Sequence, residues 1–109
     1  MTLYSQYLKE REGFDVLQVT DGFATYKITG DECYLRDIYV TPEHRKDGVA
    51  TALADAICEI ARGRGCRWLV GSVSPAANGA HASLLVLLAY GMKLKKAEKD
   101  MIYFYKGIA

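Results

Sequence analysis

The chain has 109 residues, half of them apolar and a quarter charged, which is the make-up of a folded globular chain rather than a disordered or fibrous one. Fourteen Lys and Arg stand against thirteen Asp and Glu, a formal net charge of +1 with no long run of one sign. This balance removes the bulk-electrostatic case for nucleic acid or membrane as a partner. The longest apolar stretch, ASLLVLLAYGM, is about half of what a bilayer span needs. The N-terminal MTLYSQYLKERE is too charged for a secretory segment, so a soluble, cytoplasmic protein is expected. Cys33, Cys58 and Cys66 are odd in number and show neither CxxC nor His-Cys spacing. They are read as reduced thiols, Cys58 and Cys66 as core packing, with no disulfide framework and no metal site. A chain this size buries a modest share of its surface, which makes a homodimer an expected route to stability.

No linker, repeat or low-complexity tract interrupts residues 1–109, which read as a single domain. Leu3, Tyr4, Tyr7 and Leu8 have helical spacing over residues 2–11, ending near Gly13. FDVLQV and FATYKIT flank Thr20-Asp21-Gly22, and Asp-Gly between two β-rich runs predicts a hairpin. A second turn at Gly30-Asp31-Glu32 leads into CYLRDIYV, giving three consecutive antiparallel strands. Val49, Leu53, Ile57 and Ile60 then recur every three or four residues, with Ala50, Ala54 and Ala61 beside them, as one apolar helix face. RGRG ends that helix, with arginines at the negative end of the dipole and glycines for the turn. CRWLVGSV reads as a buried strand, AAN as a loop and GAHASLLVLLAY as a second long helix closed by Gly91. MKLKKA and MIYFYK form a last hairpin. Antiparallel hairpins mixed with a βαβ connection predict an α+β fold with helices on a mixed sheet.

The segment VTPEHRKDGVATALADAI lies between a strand and an amphipathic helix. Free N–H groups at a helix start, close backbone approach at Gly48 and Ala50, charge from Arg45 and Lys46 and a hydroxyl from Thr51 suit a phosphate or pyrophosphate. Asp47 is discordant, since a carboxylate repels an anion unless it turns aside to cap the helix. Spacing alone leaves both readings open, a capped tight turn and an anion site. Neither Gly-x-x-x-x-Gly-Lys-Ser/Thr nor Gly-x-Gly-x-x-Gly occurs, so neither an NTP cradle nor a dinucleotide fold is supported.

In this context LRDIYVTPEHRKDGVATALADAI resembles the signature of the GNAT superfamily of acetyl-CoA-dependent N-acetyltransferases, Arg/Gln-x-x-Gly-x-Gly/Ala after a strand ending in an aliphatic-x-Pro stretch. Arg45, Gly48 and Ala50 fill its three places, and the element order over residues 14–106 is similar to the GNAT core. The resemblance implies a mixed, mostly antiparallel sheet flanked by helices, with the strands at 35–40 and 68–74 splayed apart to hold CoA. It implies that N–H groups of Lys46, Asp47, Gly48, Val49, Ala50 and Thr51 take the pyrophosphate, with Arg45 beside them. The pantetheine arm would bond to main chain at Ile38 and Val40 and to Asn78. The Ile38 or Tyr39 amide would polarise the thioester carbonyl of acetyl-CoA. An amine-bearing acceptor, small molecule or polypeptide, would then attack the thioester directly.

The sequence departs from the family in two ways, at the acid and at the N-terminus. Many members carry a Tyr, four residues before the Gly that closes the second long helix, as the acid for the leaving thiolate; that place is Leu87 here. Tyr90 and His81 are near in sequence but on other helical faces, and Tyr90 is kept as the candidate acid beside its reading as a core residue. Asp37, placed on one strand face with Leu35 and Tyr39, and Glu32 in the preceding turn are the candidate bases, with His44 nearby; a structural ion pair explains an isolated strand Asp equally well. Only about a dozen residues precede FDVLQV, so the acceptor side is expected to be open, for a large acceptor or for closure by a dimer partner. The competing function is a non-catalytic acyl-CoA-binding or assembly module on the same fold, which Leu87, Asp47 and the short N-terminus favour. Tyr103 and Tyr105 alternate as on a nucleic-acid-binding sheet, but the balanced charge favours sheet packing.

Overall fold

In the computed structural model, which describes residues 2–76 and 86–109, Thr2 caps the first helix. Its hydroxyl accepts from the Ser5 N–H at 3.1 Å, and helix α1 (Leu3–Glu12) ends where Gly13 turns to φ 77° and donates to the Lys9 carbonyl. Of the apolar residues that predict this helix only Leu8 is buried; Leu3, Tyr4 and Tyr7 are exposed. Helix α1 lies against the edge strand β1, with Leu8 as its buried residue.

Strands β1 (Asp15–Val19), β2 (Gly22–Thr29) and β3 (Glu32–Val40) form the expected antiparallel meander. Helix α2 (Val49–Gly63) carries the chain back to β4 (Trp68–Val73), which pairs parallel to β3. The closing hairpin of β5 (Lys93–Glu98) and β6 (Met101–Gly107) places β6 beside β4, so the six-stranded order is β1-β2-β3-β4-β6-β5. The fold is α+β with a mixed, mostly antiparallel sheet. Leu53, Ala54, Ile57, Cys58 and Ala61 of α2 are buried against Ala24, Tyr26, Cys33, Leu35 and Leu69 of the sheet. Each fully buried Leu or Ile contributes about 1.5–3 kcal/mol. The helix ends at Gly65 (φ 83°), with the Cys66 N–H on the Ala61 carbonyl at 2.9 Å and the Gly65 N–H on Arg62 at 3.1 Å. Residues 86–89 are helical and close by the same device: Gly91 has φ 90°, and Met92 donates to Leu87 at 3.1 Å.

Two irregularities in β3 set the site. Thr25 faces Asp37 across the ladder while its neighbour Tyr26 faces Leu35, so Arg36 is an extra residue, a β-bulge. Before the bulge Cys33 and Leu35 point into the core under α2; after it Ile38 does, opposite Ala24. Asp37 therefore lies on the opposite face from Leu35, and the expectation that the two share a face is corrected: one inserted residue reverses the alternation. Secondly, the β3–β4 ladder runs from Glu32↔Trp68 only to Leu35↔Gly71. Beyond that point β3 stays with β2 as far as Val40, while β4 follows β6 through Ser72↔Tyr103 and Val73↔Ile102. The two strands part into a V.

All three cysteines are buried and free. Among the described residues no helix is long and apolar enough to cross a membrane, and no group of three or more His, Cys, Asp or Glu is placed to hold a metal ion.

Candidate functional site

The free arm of β3 and the start of α2 enclose a cleft of about 510 Å³, lined by Ile38, Val40, Arg45, Gly48, Thr51 and Leu87 among others. After Val40 the chain makes a 3-10 turn (Pro42–His44) and then reverses twice, with Lys46 at φ 84° and Gly48 at φ 82°. Gly48 is the N-cap of α2, and no side chain caps the helix. The Ala52 N–H makes the first helical bond, to the Gly48 carbonyl at 3.0 Å. The amides of Val49, Ala50 and Thr51 lie in the first turn, where the helix supplies no acceptor. A side chain at Gly48 would meet nothing within 4 Å, so the space above the helix start is open. The positive φ thus favours Gly at this place, while the open space leaves room for a ligand.

Asp47 does not cap the helix. Its amide donates to the His44 carbonyl at 3.3 Å, and its carboxylate lies 3.2 Å from His44 Nδ1. His44 Nε2 in turn lies 3.3 Å from Asp21 Oδ1 in the β1–β2 turn. The carboxylate that looks discordant in sequence is thereby engaged with His44, tying the loop to the neighbouring hairpin. Arg45 Nε donates to the Val40 carbonyl at 2.9 Å and its guanidinium is 5.7 Å from the Tyr39 ring. Arg45 so fixes the loop to the end of β3, while its Nη nitrogens are further donors.

Ile38, Val40, Arg45, Lys46, Gly48, Val49, Ala50 and Thr51 are brought to one cleft. Tyr39 lies on the other face, its ring 5.7 Å from Phe23. Asn78 and His81 lie outside the described residues. Glu32 is at the far end of β3 from the loop and pairs with Lys95 at 3.0 Å. Asp37 accepts from Thr25 Oγ1 at 2.6 Å and from Arg36 Nε at 2.9 Å. Tyr90 lines the cleft, yet its hydroxyl donates to Asp55 at 2.5 Å and lies 3.6 Å from Cys58 Sγ. Burial, then the bonds to Asp55 and Cys58, push the phenol well above its ordinary range. Leu87, at the place of the family's acid, also lines the cleft.

Sequence reading missed two contacts. Asp21 was legible only as a turn residue, and its approach to His44 spans more than twenty positions of chain. Tyr34 and Ser72, whose hydroxyls meet at 2.6 Å across β3 and β4, belong to different segments, and no local pattern pairs them.

The model of the acetyltransferase (GNAT) family matches residues 6–84. Thialysine N-epsilon-acetyltransferase of Mus musculus is 42% identical over 38 residues, which are 35% of this chain and 22% of that protein. The chain therefore spans about a fifth of the length of this curated relative. Among solved structures, the PaiA N-acetyltransferase of Thermoplasma acidophilum in complex with coenzyme A has a TM-score of 0.76 at 15% identity, over 96% of this chain and 68% of that one. The ribosomal-protein-S18-alanine N-acetyltransferase of Escherichia coli has a TM-score of 0.70 at 17% identity, over 100% of this chain and 78% of that one. A protein of Desulfovibrio desulfuricans assigned to the GNAT acetyltransferases has a TM-score of 0.77 at 19% identity, over 93% and 75% of the two chains. At these identities the structural likeness speaks for the fold.

Proposed function

The chain belongs to the GNAT acetyltransferase family, and from that premise we propose that it transfers an acetyl group from acetyl-CoA to a primary amine by direct attack. The observation that carries the reading is the uncapped start of α2, open above Gly48 and set beside the free arm of β3. Backbone amides there, with Lys46 and Arg45, suit a pyrophosphate. The apolar wall of Leu35, Ile38, Val40 and Leu87 suits an aliphatic arm. Acetyl-CoA supplies the activated acyl group; the chain's part is to bind it, orient it and offer an Ile38 or Tyr39 amide to the carbonyl. Asn78 is kept as a pantetheine ligand on the resemblance alone.

Asp37 stands on the face opposite α2, near the bulge, and remains the better candidate base; Glu32 is distant from the loop and paired with Lys95. Tyr90 as an acid would first have to leave Asp55. That bond favours the second reading, an acyl-CoA-binding module without catalysis. The acceptor is an amine on a small molecule or a polypeptide. Tyr4, Phe23 and Tyr39 form an aromatic row at 5.8 and 5.7 Å, with Tyr4 and Tyr39 exposed, which a polypeptide acceptor or a second copy of the chain would cover. A cytoplasmic setting suits three free thiols.

Melting with CoA tests the binding step. At a hundredfold excess over Kd, binding adds about 2.7 kcal/mol and raises the midpoint by on the order of 10 °C in a chain this size. Gly48→Glu, which puts a carboxylate over the helix start, is expected to fold but to lose that rise. An unchanged midpoint for the parent protein would end the cofactor reading. Thiol release against a panel of amines then separates the enzyme from the binding module.

A further inference from the structure

After Val40 the chain is tied back to the β1–β2 turn through Asp21. The Asp21 carbonyl accepts from the Thr41 N–H at 2.8 Å, and its carboxylate lies 3.3 Å from His44 Nε2. The other ring nitrogen, Nδ1, lies 3.2 Å from Asp47 Oδ2. Between His44 and Asp47 the backbone reverses tightly, with Arg45 at φ −69° and ψ 138°, Lys46 at φ 84°, and the Asp47 N–H on the His44 carbonyl at 3.3 Å. These are the marks of a type II turn, whose third residue needs positive φ and is ordinarily Gly or Asn. Here it is Lys, one of two non-glycine residues at positive φ among the described residues. The contact between His44 and Asp47 joins the first and last residues of that same turn, and His44 and Lys46 both line the cleft.

Resting on the cofactor reading above, we infer that His44 is a positioning residue for CoA: braced between Asp21 and Asp47, it holds the turn closed with Lys46 on the cleft wall. An L-residue at positive φ is disfavoured, so a turn that carries Lys there needs a restraint. His44 supplies one from two elements. As an imidazolium the ring donates to both carboxylates; neutral, it donates to one. Gly at position 46 would need no such restraint, but it would bring no charge to a phosphate. The two oddities of the loop thus explain each other: a cation stands where the turn prefers glycine, and a carboxylate stands beside an anion site to anchor that turn. The Asp47 side chain is 60% exposed, so water weakens its repulsion of a phosphate.

The test measures the Kd for CoA by calorimetry in His44→Ala, Asp47→Ala and Lys46→Gly, and in the two double variants that combine Lys46→Gly with either alanine. His44→Ala is expected to weaken CoA binding about fivefold, the scale that half-exposed charge pairs reach. Asp47→Ala is expected to weaken it too. Coulomb's law alone predicts the opposite sign, since that variant removes a negative charge beside the anion. Lys46→Gly is expected to weaken binding by loss of the ammonium and to cancel both alanine effects, leaving each below about twofold on the glycine background. His44→Asn, which keeps an N–H donor for Asp47, is expected to restore most of what His44→Ala loses. In acetyl transfer, the His44→Ala loss is expected in KM for acetyl-CoA and not in kcat, as for an interaction made equally in ground and transition states. If one alanine variant melts far below the parent without ligand, the other carries the cycle. The clamp is overturned by tighter binding in Asp47→Ala, by an unchanged Kd in His44→Ala or Lys46→Gly, by no recovery in His44→Asn, or by alanine losses that persist in full on the glycine background. That last result is what direct contact of His44 with CoA, or a general loosening of the fold, would give. A parent protein that binds no CoA overturns the cofactor reading and the clamp together; a parent that binds CoA and shows any of the contrary results overturns the clamp alone.

Discussion

Thr41, where β3 gives way to the loop, has a buried hydroxyl with no hydrogen-bond partner among the described residues, although its N–H donates to the Asp21 carbonyl at 2.8 Å. A buried polar atom left unpaired costs about 1–3 kcal/mol, whereas an apolar group of the same shape does not. Thr41→Val is therefore expected to stabilise the protein by about 1 kcal/mol, read as a higher urea midpoint at unchanged slope. A lower midpoint would mean that the hydroxyl has a partner after all. Asp47 gives the opposite lesson. In sequence its charge seems wrong beside an anion site; in space it is held by His44, which Asp21 approaches from another strand turn.

At the scale of elements, the end of β3 decides the site, and Gly22 decides how closely β2 can approach it. The Asp21-Gly22 pair reads as a turn, which it is. Yet Gly22 does not sit at positive φ; a Cβ there would meet the Tyr39 carbonyl oxygen at 2.4 Å and the Val40 Cα at 3.3 Å. These are backbone atoms of the strand that lines the cleft, and they cannot swing aside as a side chain would. Gly22→Ala is expected to cost about 1–3 kcal/mol, as overpacking does, and to reduce the melting shift produced by CoA because the β3 arm must move. An unchanged midpoint and an unchanged shift would show that the strands separate freely. The bulge at Arg36 belongs to the same scale. Strict alternation in CYLRDIYV puts Leu35 and Asp37 on one face, and the inserted residue puts them on two.

For the whole molecule, Cys33 lies at the centre of the core, fully buried, and burial pushes its thiol up to about 12, with smaller contributions from Cys66 and Cys58. Burial also raises Tyr26 and Cys66. The unfolded chain releases these thiol protons near pH 8.5, so between there and about 12 the folded state binds more protons than the unfolded one. Stability must then fall as pH rises through that window, while the contribution is fully present below it. Urea midpoints at pH 8 and pH 10.5 are expected to differ in that sense, and Cys33→Ala is expected to shrink the difference at a cost in stability from the smaller side chain. A midpoint that holds or rises with pH in the parent would contradict the buried-thiol account.

Most elements and the position of the anion loop follow from the sequence, because helix periodicity, Asp-Gly and Gly turn signals and the Arg45, Gly48, Ala50 spacing are local. Local steric and hydrogen-bonding rules suffice to read them. Three things were decided only by tertiary structure: the face on which Asp37 stands, the engagement of Asp47 by His44, and the meeting of Tyr34 with Ser72 at the apex of the V. The first and third depend on the register between paired strands, and the second on how the loop after β3 folds back on itself and onto the β1–β2 turn. Register is set by the summed packing of the sheet against α2 and by one bulge, which no short stretch of sequence encodes.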